Sequence, residues 1–145
     1  MPRPIINVRE RRYIGMTLID PGIRRLLDEP NTAHLATVLP DGSPHSVPLW
    51  IGLEGDQLAF LTGPGSRKAR NVAHDPRVSV SVIDRAQPFT MAHIRGRVTG
   101  RVEGAAAWTI IDRIAVKYTG APYPQRTDRV VFLIEPEHVQ GTAYG

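Results

Sequence analysis

The sequence predicts a mainly β domain: a six-stranded antiparallel barrel with helices on its flanks. Three observations carry that prediction. Apolar residues alternate with period two through several segments, and most of those segments are joined by short turns rich in Gly, Asp and Pro. Helical patterns are few, one between the third and fourth strands and one before the last, so they do not follow every strand as in a parallel α/β sheet. At 145 residues the chain is long enough for one such core and short for two.

Residues 1–19, with two early prolines, a basic stretch and no clean period, read as an N-terminal extension, leaving 20–145 as the domain. In "DPGIRRLLDEP" Asp20 can cap, Pro21 suits the first helical turn, and Ile23, Leu26 and Leu27 repeat at helical spacing up to Pro30. Period two begins at Asn31, where Ala33, Leu35, Thr37 and Leu39 oppose His34, Ala36 and Val38. "PDGSP" then turns the chain into "HSVPLWIGLEG", read as one strand with Val47, Leu49 and Ile51 opposite Ser46, Pro48 and Trp50. Pro48 has no N–H to give a ladder and marks an edge or a bulge. "QLAFLT" is the third strand.

Residues 66–75 read as a helix capped by Ser66, with Ala69, Val72 and Ala73 inward and Pro76 as the stop. "RVSVSVID" returns to period two on Val78, Val80 and Val82, and a long strand is expected from Phe89 to Glu103. A helix over Ala105 to Tyr118 places Ala107, Ile110, Ile111, Ile114 and Tyr118 on one stripe, and Gly120 ends it. After the loop "APYPQRTD", the run "RVVFLIEPEHVQG" supplies the last strand, bent near Pro136.

The balance of 18 Lys+Arg against 14 Asp+Glu, net +4, favours anionic partners without choosing between nucleic acid and a phosphorylated small molecule. With no cysteine there is no disulfide, thiolate metal site or cysteine nucleophile, and no pair among the five histidines has metal-ligand helical spacing, so no metal is expected. There is no G-x-S-x-G elbow. No signal-peptide pattern opens the chain and apolar runs such as "VVFLI" are too short to span a bilayer, so a soluble, cytoplasmic protein is the expectation. Arg95, Arg97 and Arg101 share a strand face but lack the interleaved aromatics of a nucleic-acid stacking platform, so no nucleic acid is expected.

The stretch "LTGPGSRKARNVAHDP" carries the clearest chemistry. Gly63 and Gly65 permit a sharp turn, Ser66 caps, and Arg67 and Lys68 occupy the first helical turn, where unpaired N–H groups point outward. Cations there oppose the helix dipole unless an anion sits between. Two readings fit, a bound phosphate or a solvated cationic face.

"SRKARN" following a strand that ends in Thr62, then "HDPRVSVSV", with "ATVLPDGSPHSVPLW" before and "DRVVFLIEPEHVQG" at the end, resembles the pyridoxamine 5'-phosphate oxidase-like FMN-binding split-barrel family. The similarity runs from about Asp20 to Gly141 and is nearest to the branch that uses the deazaflavin coenzyme F420. It implies a homodimeric split barrel with two cofactors at the subunit interface. Arg67 and Lys68 match the family's phosphate-binding pair, with Ser66 assisting. Pro48, Leu49 and Trp50 fall on the strand against the ring system, and Leu61, Thr62 and Gly63 on the strand end beside it. Phe89 and Met91 match positions from which the second subunit adds apolar contacts. For Trp50 a core or dimer-contact role is the other reading, and for Phe89 and Met91 plain interface packing.

The activity implied is hydride transfer from reduced coenzyme F420 to a small conjugated or unsaturated acceptor. The alternatives are an FMN-dependent oxidoreductase and a non-catalytic module that binds or stores the cofactor. The ending "EHVQGTAYG" lacks the basic, histidine-containing segment that holds the substrate phosphate in vitamin B6 synthesis, which argues against that activity. No side chain stands out as a proton donor.

Overall fold

The computed structural model of the chain describes residues 6, 7 and 18–142. A two-residue strand, β1 (Ile6–Asn7), pairs with Val139 and His138 near the end of the last strand. Leu18 and Ile19 are buried in the core, and the rest of the proposed extension lies outside the described residues. The Asp20 carboxylate then accepts from the Ile23 N–H and starts α1 (Pro21–Asp28), whose Ile23, Leu26 and Leu27 are all buried.

β2 (Ala33–Val38) and β3 (Pro44–Leu49) form a hairpin, as do β4 (Gly52–Glu54) and β5 (Gln57–Thr62). Next come α2 (Arg67–His74), β6 (Arg77–Ile83), β7 (Met91–Val102), α3 (Gly104–Thr119) and β8 (Val130–Thr142). The strands make one antiparallel sheet in the order β3-β2-β6-β7-β8-β5-β4. The two ends of that path are neighbours in sequence, separated by Trp50 and Ile51 alone. Such a link spans on the order of 10 Å, so the sheet has to curl until its edges meet. The result is a barrel whose seam is closed by the chain itself and not by a ladder of hydrogen bonds.

Six strands therefore become seven in this path, with β1 beside β8. "HSVPLWIGLEG" fails to run as one strand because it crosses the seam from one edge of the sheet to the other. Two smaller expectations are also corrected. Phe89 lies in the β6–β7 turn, outside β7. On α2 it is Asn71, 1% exposed, that faces inward with Ala69 and Val72, while Ala73 is exposed. Asn71 turns in because its side-chain amide donates to the Thr37 hydroxyl at 2.9 Å and pins α2 to β2.

One apolar cluster fills the curled sheet, with Leu35, Phe60, Val80, Ile94, Phe132 and Ile134 meeting Leu26 and Leu27 of α1. A second lies under α3, whose Ala107, Ile110, Ile111 and Ile114 cover Ala59 and Val131. β5 and β8 are thus buried on both faces, which explains the unbroken apolar runs "LAF" and "VVF". β7 and β8 slip register at Arg95/Gly96 and again at Val98/Gly100, the first of these shifts lying opposite Pro136, near which the sequence reading placed a bend.

The Lys117 ammonium of α3 donates to the carbonyls of Leu27 and Ile51. Burial pushes it down to about 8, against a smaller opposing effect of Asp28. The unfolded chain therefore binds the extra proton between about pH 8 and the ordinary lysine value, so stability rises with pH across that window. Urea midpoints measured from pH 7 to 10 are expected to show this rise in the wild type and to flatten in Lys117→Met.

Candidate functional site

The loop after β5 is built by two hydroxyls. Thr62 Oγ1 and Ser66 Oγ share a hydrogen bond of 2.7 Å, Ser66 Oγ accepts from the Ala69 N–H at 3.1 Å, and the Ser66 N–H donates to the Gly63 carbonyl at 3.1 Å. These bonds fix the N-terminus of α2 against the strand end. Arg67 and Lys68 follow with no acidic residue in the first turn. The Lys68 ammonium is held below the usual lysine value, first by burial and then by the positive charge of Arg129, with Tyr123 acting the other way.

Arg129 is a cation that the sequence reading missed. β5 and β8 pair with Thr62 opposite Val130, so Arg129 comes to lie beside Gly63. A Cβ on Gly63 would sit 3.2 Å from Arg129 Nη1, so the bare glycine leaves room for the guanidinium. Its partners are all neutral: the Asp128 carbonyl at 2.7 Å, Gln125 Oε1 at 2.9 Å and the Tyr123 hydroxyl at 3.2 Å. Elsewhere Arg24, Arg25, Arg77, Arg97, Arg101, Arg113 and Arg126 each pair with a carboxylate. Among the described residues, Arg67, Lys68 and Arg129 have no such partner, and neither do Arg70, Arg85 and Arg95; what distinguishes the first three is their place around the start of α2.

Tyr123 joins these cations to an apolar hollow of about 240 Å³ lined by Leu49, Trp50, Leu61 and Tyr123. Trp50 stacks on Tyr118 with centroids 5.3 Å apart and planes 8° from parallel, and meets Tyr123 edge-on at 6.2 Å. Leu49, Trp50, Leu61, Thr62, Gly63, Ser66, Arg67 and Lys68 are therefore brought into one region.

Three sequence-predicted residues lie outside it. Pro48 is exposed on β3 in register with His34. Phe89 is 61% exposed, and Met91, 38% exposed, lines a second hollow of about 460 Å³ with His34, Ser81, Ile83 and His93. The two hollows share no residue. The strand-face cations are partly neutralised, Arg97 by Glu137 and Arg101 by Glu103. Among the described residues no cluster of His, Asp and Glu is placed to hold a metal, and no helix is long and apolar enough to cross a membrane.

The profile of the pyridoxamine 5'-phosphate oxidase family matches residues 19–143. The chain belongs to this family. A pyridoxine/pyridoxamine 5'-phosphate oxidase of Alcanivorax borkumensis is 39% identical over 72 residues, 49% of this chain and 34% of the relative. The chain thus spans about a third of the length of that curated relative. Among solved structures, an F420 reductase is similar at 31% identity with a TM-score of 0.71, covering 80% of this chain and 94% of its own. The conserved hypothetical protein Rv2991 of Mycobacterium tuberculosis is 26% identical with a TM-score of 0.68, covering 83% and 82%. A heme binding protein of Mycobacterium smegmatis is 26% identical with a TM-score of 0.66, covering 86% of this chain and 54% of its own. The mainly β split barrel flanked by helices is the architecture of the family, as the strand blocks in the sequence imply.

Proposed function

We propose that this protein is an oxidoreductase that binds coenzyme F420, with FMN as the alternative, and reduces a small conjugated or unsaturated acceptor. The observation that carries the reading is the convergence of Arg67, Lys68 and Arg129, none paired with a carboxylate, on the N-terminus of α2 beside an aromatic hollow. Such a site fits a phosphate joined to a flat ring. The main-chain N–H groups of Arg67 and Lys68, at the start of α2, have no intrahelical carbonyl to bond, and with the two side chains they would hold the phosphate. Arg129 adds a third positive charge.

Leu49, Trp50 and Leu61 offer the ring an apolar wall and exclude water from it. The Tyr123 hydroxyl accepts from Arg129 Nε, which leaves its own proton for a ligand in the hollow. The bound ring supplies the hydride. The likeness to a solved F420 reductase over 80% of this chain, at 31% identity, supports the deazaflavin.

The reading includes a homodimer. Pro48, Phe89 and Met91, none of which lines the hollow of its own chain, then serve the pocket shared with a second copy. Fluorescence titration of the recombinant protein is expected to give tighter binding of coenzyme F420 than of FMN. Tighter FMN binding would reverse the choice of cofactor, and binding of neither would end the proposal. Stopped-flow mixing of the reduced complex with quinones, enones and nitroaromatics is expected to show oxidation by at least one class. A bound but unreactive cofactor would favour a storage module.

A further inference from the structure

The Trp50–Ile51 link crosses the seam without ladder partners, since the last pair of β3 is Leu49 with Ala33 and the first of β4 is Gly52 with Ala59. Ile51 is fully buried, so its peptide N–H and C=O must be satisfied from within the protein. Both are met by consecutive side chains of α3. The Ile51 N–H donates to the Tyr118 hydroxyl at 3.2 Å, and the Ile51 carbonyl accepts from Lys117 Nζ. The same Tyr118 hydroxyl donates to the Asn31 carbonyl at 2.6 Å, and Lys117 Nζ donates to the Leu27 carbonyl at 2.7 Å.

Two side chains thus tie the last turn of α1, the entry to β2 and the seam to one helix. The Tyr118 ring, fixed through its hydroxyl, is the surface on which the Trp50 indole lies flat, with the Lys117 ammonium 4.8 Å from the Tyr118 centroid. Trp50 and Tyr123 are two walls of the hollow. Neither Lys117 nor Tyr118 lines that hollow, so any effect on a ligand there passes through Trp50.

We infer that Lys117 and Tyr118 are positioning residues that hold Trp50 and the β3–β4 link in the geometry required by a planar ring in the hollow. This rests on the cofactor reading above. A helix that only covered the barrel would satisfy the second apolar cluster with its isoleucines. The half-buried ammonium and hydroxyl add directional bonds aimed at the two peptide groups that follow the indole.

The test uses full-length protein in a Trp108→Phe background, where Trp50 is the remaining tryptophan of the two in the chain. Tyr118→Phe keeps the ring and nearly the same volume but removes the hydroxyl, and Lys117→Met removes the ammonium but keeps an unbranched chain. Both variants are expected to raise acrylamide quenching of Trp50 about twofold. They are also expected to weaken coenzyme F420 or FMN about five- to tenfold, the loss of one or two modest hydrogen bonds. The phosphate-free riboside of the same ring should weaken by the same factor, whereas Lys68→Ala should weaken the phosphate-bearing form more.

A purely structural role would lower the thermal midpoint and leave Trp50 quenching and ring affinity unchanged well below it. That result, in a protein whose wild type binds a cofactor, overturns the positioning role alone. A wild type that binds neither cofactor overturns the cofactor reading, and the positioning role with it.

Discussion

The double variant Arg67→Ala, Lys68→Ala is expected to bind coenzyme F420 or FMN at least about a hundredfold more weakly than wild type. Hydrogen bonds to a charged group contribute about 1.5 to 3 kcal/mol each, and Arg67 is exposed enough that the lower figure applies to it. Two such bonds give about 3 kcal/mol or more. Stability should move the other way. Both cations stand at the positive end of α2, where each is unfavourable by about 0.3 to 1 kcal/mol, so the ligand-free variant should be no less stable than wild type. Isothermal titration alongside thermal melts reads both quantities. A loss of binding with stability retained is the mark of residues kept for a ligand, and unchanged affinity would remove the phosphate assignment.

The largest effect on the fold is expected from Gly96→Ala. An added Cβ would lie 2.2 Å from the Glu135 carbonyl oxygen and 3.1 Å from Pro136 Cα, all backbone of the neighbouring strand. Nothing there can rotate aside, so the β7–β8 pairing itself has to shift beside its bulge. A loss of about 3 kcal/mol is expected, at the upper end for overpacking. At Gly100 the new methyl would meet the Leu133 side chain at 3.3 Å or more, which a small rotation accommodates. Gly100→Ala is expected to cost under about 1 kcal/mol. Urea unfolding of the two variants checks the contrast, and equal costs would contradict it.

What the sequence revealed of this molecule was local. The caps at Asp20 and Ser66 and the apolar stripe of α3 depend on neighbours a few residues apart, and those three helices appear where their patterns placed them. The seam was not legible. Residues 44–54 alternate smoothly, and only the closure of the sheet, a property of all its strands together, requires the chain to leave β3 at Trp50. The same holds at the candidate site. "SRK" was visible as cations at a helix start, whereas Arg129 and Tyr123 sit in a loop with no local signature. They reach Gly63 and Trp50 through the pairing of β5 with β8, a contact between residues more than sixty positions apart. Asn71 shows the converse: a polar residue on an apolar face reads as outward until a hydroxyl on another strand is there to meet it.

Among the described residues no strand pairs with the outer rim of β3, which has its own consequence for how this chain can meet other chains. An edge strand with open N–H and C=O groups invites a foreign strand to pair with it. β3 keeps a continuous register with β2 over six pairs although Pro44 and Pro48 lie within it. Both prolines must therefore stand where the main-chain nitrogen points away from β2. Of the outward-pointing positions 44, 46 and 48, only Ser46 retains a donor. The opposite rim, β4, is three residues long. Strand addition, the route by which exposed sheets polymerise, finds little purchase on either rim, and any association with a second copy is left to side-chain surfaces.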